Sequence, residues 1–346
     1  MAELSAKLPP RGGSDIMEDG LRKRINFDDY GVNLILSRCS EDQIDSSKKN
    51  ILWQHLNYNE PLTQGMTNKF FTRCIDGYVY VSHWQHEKFR YVYHIPVDNA
   101  HVIKNAIEPV EYQQRKKGEK IRLIYTSAPF RGLDVLLDSF ELLDRDDVEL
   151  YVYSSTIVYG TDYDLKHGIE YTALFERAKN MKNVFYMGYA PNTEVTQALQ
   201  QSHIFAYPSM FEETCCLAMI EAGAAGCRLI GQNLGALAET GGEFATLVPI
   251  QIDKKRIAEK YASALNQAID NYWDDEPMLQ QQSQYFNHFY SWDRIAGQWK
   301  TMLKSMQYKF LINHLLHKRI FIIEVLATAG EMIELSTVHF PVDENQ

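Results

Sequence analysis

The chain has 346 residues, of which 45% are hydrophobic and 23% charged, ordinary values for a globular protein and enough chain for two domains with cores of their own. A formal charge of −10 and a pI near 5.6 exclude the basic excess of a general nucleic-acid binder. No apolar run reaches membrane-spanning length, no charged-then-apolar leader opens the chain, and five scattered cysteines suit reduced thiols of a cytosolic protein rather than a disulfide framework.

Short apolar runs alternate with amphipathic stretches, the pattern of α/β domains with parallel sheets. Residues 3–8 read as a short strand, Pro9 to Gly13 as a loop, and Ser14 or Asp15 as the cap of a helix to about Arg24. Strands are predicted at 32–36, 50–54, 77–81 and 101–104, with helices at 67–74 and 84–93 between them. Glu108 to Lys120 is polar and charged and reads as a linker. Beyond it, strands are predicted at 121–125, 148–153, 184–187, 204–207 and 228–230. Helices are predicted at 133–143, 174–180, 193–201, 255–271 and 292–303, with 234–239 as a loop. The resulting division is an N-terminal domain at 1–110, a linker at 111–120, a second α/β domain at 121–290, a closing helix at 291–305 and an extension at 306–346.

The stretch Phe211 to Gly223 carries the most chemistry. Glu213 and Glu221 bracket seven residues that read as a loop turning into a helix, just after the strand Ile204 to Tyr207 and the turn Pro208-Ser209. A strand, a turn and a helix start present free amides and the positive end of a helix dipole, a natural seat for phosphate. An eight-residue step is about 12 Å along a helix axis, the reach from a sugar over a diphosphate to a ribose. Glu213 is thereby expected to take sugar hydroxyls and Glu221 ribose hydroxyls. The diphosphate would lie over the segment Thr214, Cys215, Cys216 and Leu217, whose adjacent cysteines lack zinc-ligand spacing and contribute amides.

In order along the chain, these segments resemble the donor-binding domain of retaining glycosyltransferases with the GT-B fold, the family 4 group with an E-x7-E signature. The residues carrying the likeness are Ile121 to Leu137, Asn183 to Gly188, Tyr207 to Gly226, Gly235 to Glu239 and Tyr290 to Asp293. The resemblance implies two Rossmann-like α/β domains facing a cleft, the N-terminal one abbreviated as in compact phage and bacterial members. It also implies that Gly12 and Gly13 form the glycine loop facing the diphosphate, that His55 ends a strand beside the transferred sugar, and that Ser127 and Arg131 line the phosphate loop. The family often has a further Arg five positions before its Lys in that loop. Here Arg131 holds the later position, and Thr126 and Ser127 occupy the earlier region.

The implied reaction moves a sugar from a nucleoside-diphosphate sugar to a hydroxyl of a glycan, lipid-linked or other acceptor, with retention and without a metal, the departing phosphate taking the acceptor proton. No cofactor is expected. The alternative is a non-catalytic GT-B subunit that binds a nucleotide sugar or glycan for a partner. Three weaker signals are set aside: Asp162-Tyr163-Asp164, a D-x-D in a polar loop; His83 and His86, without a third metal ligand; and the absence of G-x-G-x-x-G after any strand, which disfavours a nicotinamide enzyme. The basic amphipathic stretch 309–319 reads by default as packing on the body, with self-association or peripheral membrane contact as alternatives.

Overall fold

A computed structural model describes residues 12–307; the strand expected at 3–8, most of the loop before Gly13 and the basic stretch 309–319 lie outside the described residues. Helix α1 (Gly13–Arg22) comes first, followed by strands β1 (Val32–Leu36) and β2 (Lys49–Gln54), helix α2 (Lys69–Arg73), strand β3 (Gly77–Tyr80), helix α3 (His83–Tyr93) and strand β4 (Ala100–Val102). The four strands form a parallel sheet in the order β1-β2-β3-β4. Ile51, Leu52 and Trp53 are consecutive and all buried, as a parallel strand covered on both faces requires.

The second sheet is larger. Its elements are β5 (Ile121–Thr126), α4 (Leu133–Leu143), β6 (Val148–Tyr153), α5 (Thr161–His167), α6 (Thr172–Asn180), β7 (Val184–Tyr186), α7 (Asn192–Gln201), β8 (Ile204–Tyr207), α8 (Leu217–Ala224), β9 (Arg228–Gln232), α9 (Leu237–Gly241), β10 (Ala245–Val248), α10 (Lys254–Asp270) and α11 (Glu276–Phe289). Six parallel strands run in the order β10-β9-β8-β5-β6-β7. Counted from β5 as the first strand, this is the doubly wound order 3-2-1-4-5-6, whose direction of winding reverses between β5 and β8. Loops leaving those two strands diverge to opposite faces and open a crevice at their carboxyl ends. The first sheet adds every described strand on one side and has no such reversal.

Helix α8, which leaves the switch point, is anchored at its far end. The Arg115 guanidinium, buried, donates to Ala225 O at 2.9 Å and to Leu199 O and Ser202 O at 3.2 and 3.0 Å, placing a cation at the negative ends of α7 and α8. Gln282 Nε2 donates to Gly223 O and Cys227 O, and Ser283 Oγ to Ala224 O. Gly223 lets α11 come close, since a Cβ there would stand 2.8 Å from the Phe286 ring. The presumed linker is therefore docked through Arg115 and is not a loose tether.

Several expectations shift. Helix α1 starts at Gly13 with Gly12 as N-cap, so Ser14 and Asp15 lie inside its first turn. Helix α5 contains Asp162 to Asp164, read above as a loop, and α9 takes up the end of the loop expected at 234–239. Helix α11 and strand β10 had no counterpart in the sequence reading. Gln282 and Ser283 are buried polar residues of α11 that bond to α8 carbonyls, so an apolar-period criterion passes them by. Both sheets fall in one compact unit, described over residues 12–298, and the described part of the second unit, 299–307, is helical. No described helix is long and apolar enough to cross a membrane.

Arg115→Met is expected to lower stability by about 1.5–3 kcal/mol, the range for hydrogen bonds from a charged group. Urea unfolding should show a lower midpoint at an unchanged slope; an unmoved midpoint would contradict the anchoring role.

Candidate functional site

The loops from β5 and β8 meet over a carboxylate. Glu213, buried, receives the Arg131 guanidinium (Nη1) and the Tyr207 hydroxyl, at 2.5 Å, on the same oxygen, Oε1. Arg131 sits in a single turn, Pro129–Arg131, over the Phe211 ring at 4.4 Å, with Tyr159 OH 3.4 Å from Nη2. Gly132 follows with φ +105°, and a Cβ there would stand 2.1 Å from Pro208 O, so only glycine lets the two loops touch. Ser127 Oγ lies 3.3 Å from Tyr207 OH. Burial pulls the Arg131 pKa down, but the Glu213 carboxylate outweighs it and the guanidinium stays charged. The expectation that Arg131 faces phosphate and Glu213 faces sugar therefore meets a difference: here the two neutralise each other. Glu213 also lies before α8, not on it, so a helical rise does not measure its separation from Glu221.

On the other side, His55 directly follows β2. Its backbone N–H donates to Ser37 Oγ at 3.1 Å, and its carbonyl accepts from Thr214 Oγ1 at 2.9 Å, which ties β2 to the loop between β8 and α8. Ser37 takes a left-handed φ of 60°, a strained conformation for a non-glycine residue. His55 Nε2 is buried with no hydrogen-bond partner, and burial pushes the imidazole down to about 3, so it is neutral at physiological pH. Other bonds lace the two sheets together. Asn57 Nδ2 donates to Glu212 O at 3.2 Å and Asn105 Nδ2 to Cys215 O at 3.4 Å, while the α3 amides of His83 and Trp84 donate to the Glu239 carboxylate at 3.1 and 3.0 Å, with Lys104 3.4 Å away.

Helix α8 begins at Leu217 without a side-chain cap, and Leu217 and Ala218 are partly exposed. Gly13 lies opposite, since a Cβ on it would be 3.8 Å from Leu217 Cδ2; a Cβ on Gly12 would be 3.9 Å from Val158 O. The amino ends of α1 and α8 thus converge. Asp15 Oδ2, however, already accepts the Gly12 N–H at 3.0 Å, so that amide is not free as the glycine-loop reading expected. Cys215 and Cys216 are buried, and burial raises both thiols, Cys215 to about 11, which leaves them inert and suits a backbone role.

Glu221 faces a different space. It lines a cavity of about 270 Å³ with Met17 and Gly20 of α1, Lys23 at its C-cap, Asn192 and Thr196 of α7, and Trp292. Asn192 Nδ2 donates to its Oε1 at 3.3 Å, and burial, partly offset by that bond, raises the carboxyl to about 7. Glu213, Arg131 and His55 do not line this cavity. The structure therefore joins Ser127, Arg131, Glu213, Thr214 and His55 in one connected set, and sets Glu221 apart on the α1 side.

Besides β3, which ends in the unpartnered hydroxyl of Tyr80, four strands end in buried polar atoms without a protein partner: Thr126 Oγ1 on β5, the Gln232 amide on β9, and Ser154 Oγ and His55 Nε2 just past β6 and β2. Buried polar groups are seldom left so, and all four lie at carboxyl ends, where ligands of such sheets bind. Tyr207, Tyr159, Asn57 and Glu239 were missed from sequence. Tyr207 read only as the apolar end of a strand, and nothing in one sequence marks its hydroxyl. Among the described residues, no group of three or more His, Cys, Asp or Glu could hold a metal; Asp164 instead accepts the Thr156 hydroxyl.

Residues 121–271 match the family described as Glycosyl transferases group 1. That stretch, the larger sheet and its helices, is therefore similar to a glycosyl transferase group 1 domain. The fold of the chain is GT-B. Sucrose-phosphate synthase from Thermosynechococcus elongatus aligns with a TM-score of 0.62 at 16% identity, over 82% of this chain and 76% of that one. Anabaena HepE in complex with UDP-glucose gives 0.57 at 14%, over 75% and 72%. The pneumococcal O-GlcNAc transferase GtfA in complex with UDP and GlcNAc gives 0.55 at 13%, over 86% and 60%. The present chain thus spans only 60% of that GtfA, and likewise 60% of a chain of the GtfA/B complex. No curated protein matches the sequence.

The raised Glu221 carboxyl has a pH signature. A folded-state pKa above the unfolded one means that stability from this group is full below pH 4.5 and lost as pH rises through about 7. Glu221→Gln should flatten that decline, seen as a smaller fall in Tm between pH 5 and pH 8 than in the wild type. Parallel curves for the two proteins would show that Glu221 ionises freely.

Proposed function

We propose that this protein is a retaining glycosyltransferase that takes a sugar from a nucleoside-diphosphate sugar and passes it to an acceptor hydroxyl without a metal. The observation that carries the reading is the set at the switch point: an uncapped helix start, a half-buried cation and a buried carboxylate within one connected network. A departing nucleoside diphosphate gathers negative charge as the sugar leaves. Arg131 and the amides at the start of α8 are suited to hold that charge. In the free protein Arg131 and Glu213 satisfy each other; the incoming diphosphate competes for the guanidinium, and the sugar's hydroxyls for the carboxylate. Glu221, in its cavity, is suited to the ribose hydroxyls, and the UDP-bound structure of HepE makes a uridine nucleotide the first donor to try.

His55 fits a hydroxyl better than a phosphate. A neutral imidazole supplies a hydrogen bond but no charge. No carboxylate is placed here as a nucleophile, so same-face attack with the leaving phosphate as base is the proposed course. The acceptor is a hydroxyl of a glycan, lipid-linked or other molecule. Binding without any turnover would favour the alternative, a nucleotide-sugar-binding subunit serving a partner.

A thermal-shift screen of UDP-, GDP- and ADP-sugars, followed by donor hydrolysis in EDTA, tests the proposal. Hydrolysis should survive chelation; strict dependence on manganese would overturn the metal-free course. Glu213→Ala should reduce kcat/KM by about ten- to a hundred-fold, the worth of one hydrogen bond to a charged group. His55→Ala should slow turnover more than it weakens donor binding, and an undiminished rate would return His55 to a purely structural role.

A further inference from the structure

We propose that Tyr207 is a positioning residue that holds one oxygen of Glu213 so that the other is presented to the donor's sugar, an inference that rests on Glu213 being the sugar-binding carboxylate. Tyr207 is the last residue of β8, 1% exposed, and is fixed by its pairing with Gly231. Phe205, two residues earlier and on the same face, is equally buried and carries no hydroxyl. Their rings lie 5.4 Å apart, and Tyr125 lies 5.8 Å from Tyr207 on another side. Packing alone would be met by a second phenylalanine. A buried hydroxyl is retained at a cost unless it is bonded.

This hydroxyl has two neighbours, Glu213 Oε1 at 2.5 Å and Ser127 Oγ at 3.3 Å. Burial, reinforced by the Glu213 charge, pushes its pKa well above the usual tyrosine value, so the hydroxyl remains protonated and donates to the carboxylate. Among the described residues, Glu213 Oε1 has two donors, Arg131 and Tyr207, and Oε2 none. The two donors differ in freedom. Arg131 sits in a loop turn and can swing to a diphosphate; Tyr207 stands on a sheet strand and cannot follow. Once a donor has drawn Arg131 away, Tyr207 is the group that still fixes Oε1. The carboxylate then keeps its orientation at the moment it is needed, with Oε2 directed to the sugar.

The test separates sugar from nucleotide. Isothermal titration with the pairs UDP and UDP-glucose, GDP and GDP-mannose, and ADP and ADP-glucose identifies the nucleotide that wild-type protein binds. For that pair, Tyr207→Phe should leave nucleoside-diphosphate affinity within about two-fold, which also reports an intact fold, and weaken nucleotide-sugar affinity about ten-fold. Glu213→Gln should also weaken the nucleotide sugar relative to its nucleoside diphosphate, and the double variant should bind the nucleotide sugar no more weakly than Glu213→Gln alone. Unchanged nucleotide-sugar affinity in Tyr207→Phe, an equal loss for both members of the pair, or losses that add in the double variant would each overturn the positioning role. A Glu213→Gln protein that binds the nucleotide sugar normally sinks the carboxylate assignment itself, and wild-type protein that binds no pair sinks the donor reading; the positioning role falls with either.

Discussion

The carbonyl end of α8 is the constraint from which the site follows. Arg115, Gln282 and Ser283 take up the carbonyls at the end of α8 and in the turn after it, and Phe286 closes over Gly223, so the helix has one axial position and one direction. With that end neutralised and buried, the amino end is the one left to the crevice between β5 and β8. A helix of 8 residues has little stability of its own. Its aim is imposed by what grips its far end, and a docked connecting segment supplies the principal cation.

The second constraint is the contact between the two loops. Gly132 lets the 129–132 turn lie against Pro208, which brings Arg131 over Phe211 and onto Glu213. A charge pair this buried contributes little to net stability unless each partner is fully hydrogen-bonded. Here Tyr207 and Tyr159 each add one hydrogen bond to it, while among the described residues Glu213 Oε2 is left open. In the proposed function this arrangement holds two opposite charges side by side, suited to a ligand that carries the complement of both: an anionic diphosphate and a hydroxyl-rich sugar.

Much of this architecture was legible in the sequence because parallel strands buried on both faces are short, unbroken apolar runs. The strands at 32–36, 148–153 and 204–207 and the helix at 133–143 were read with the bounds observed. Glu213 and Glu221 were singled out because two carboxylates bracket a strand-turn-helix start and a run of small residues, and Arg131 through the family resemblance of its loop. What escaped were roles that exist only across distance. Tyr207 is an apolar residue in any pattern until its hydroxyl meets Glu213; Arg115 is one basic residue in a charged stretch until three carbonyls meet around it. Helix α5 escaped because it is mostly polar, with Leu165 exposed, and so presents no apolar face to detect. The pairing of Arg131 with Glu213 was missed because both were read as facing a ligand.

The cysteines offer a practical opening. Cys39, Cys215, Cys216 and Cys227 are buried and burial raises their thiol pKa values, whereas Cys74, capping the end of α2, is the one cysteine that is not buried. A maleimide dye would accordingly attach at a single place on the smaller sheet's flank without any engineered substitution. Paired with a labelled nucleotide, it makes the native molecule its own distance gauge between the two halves of the GT-B fold.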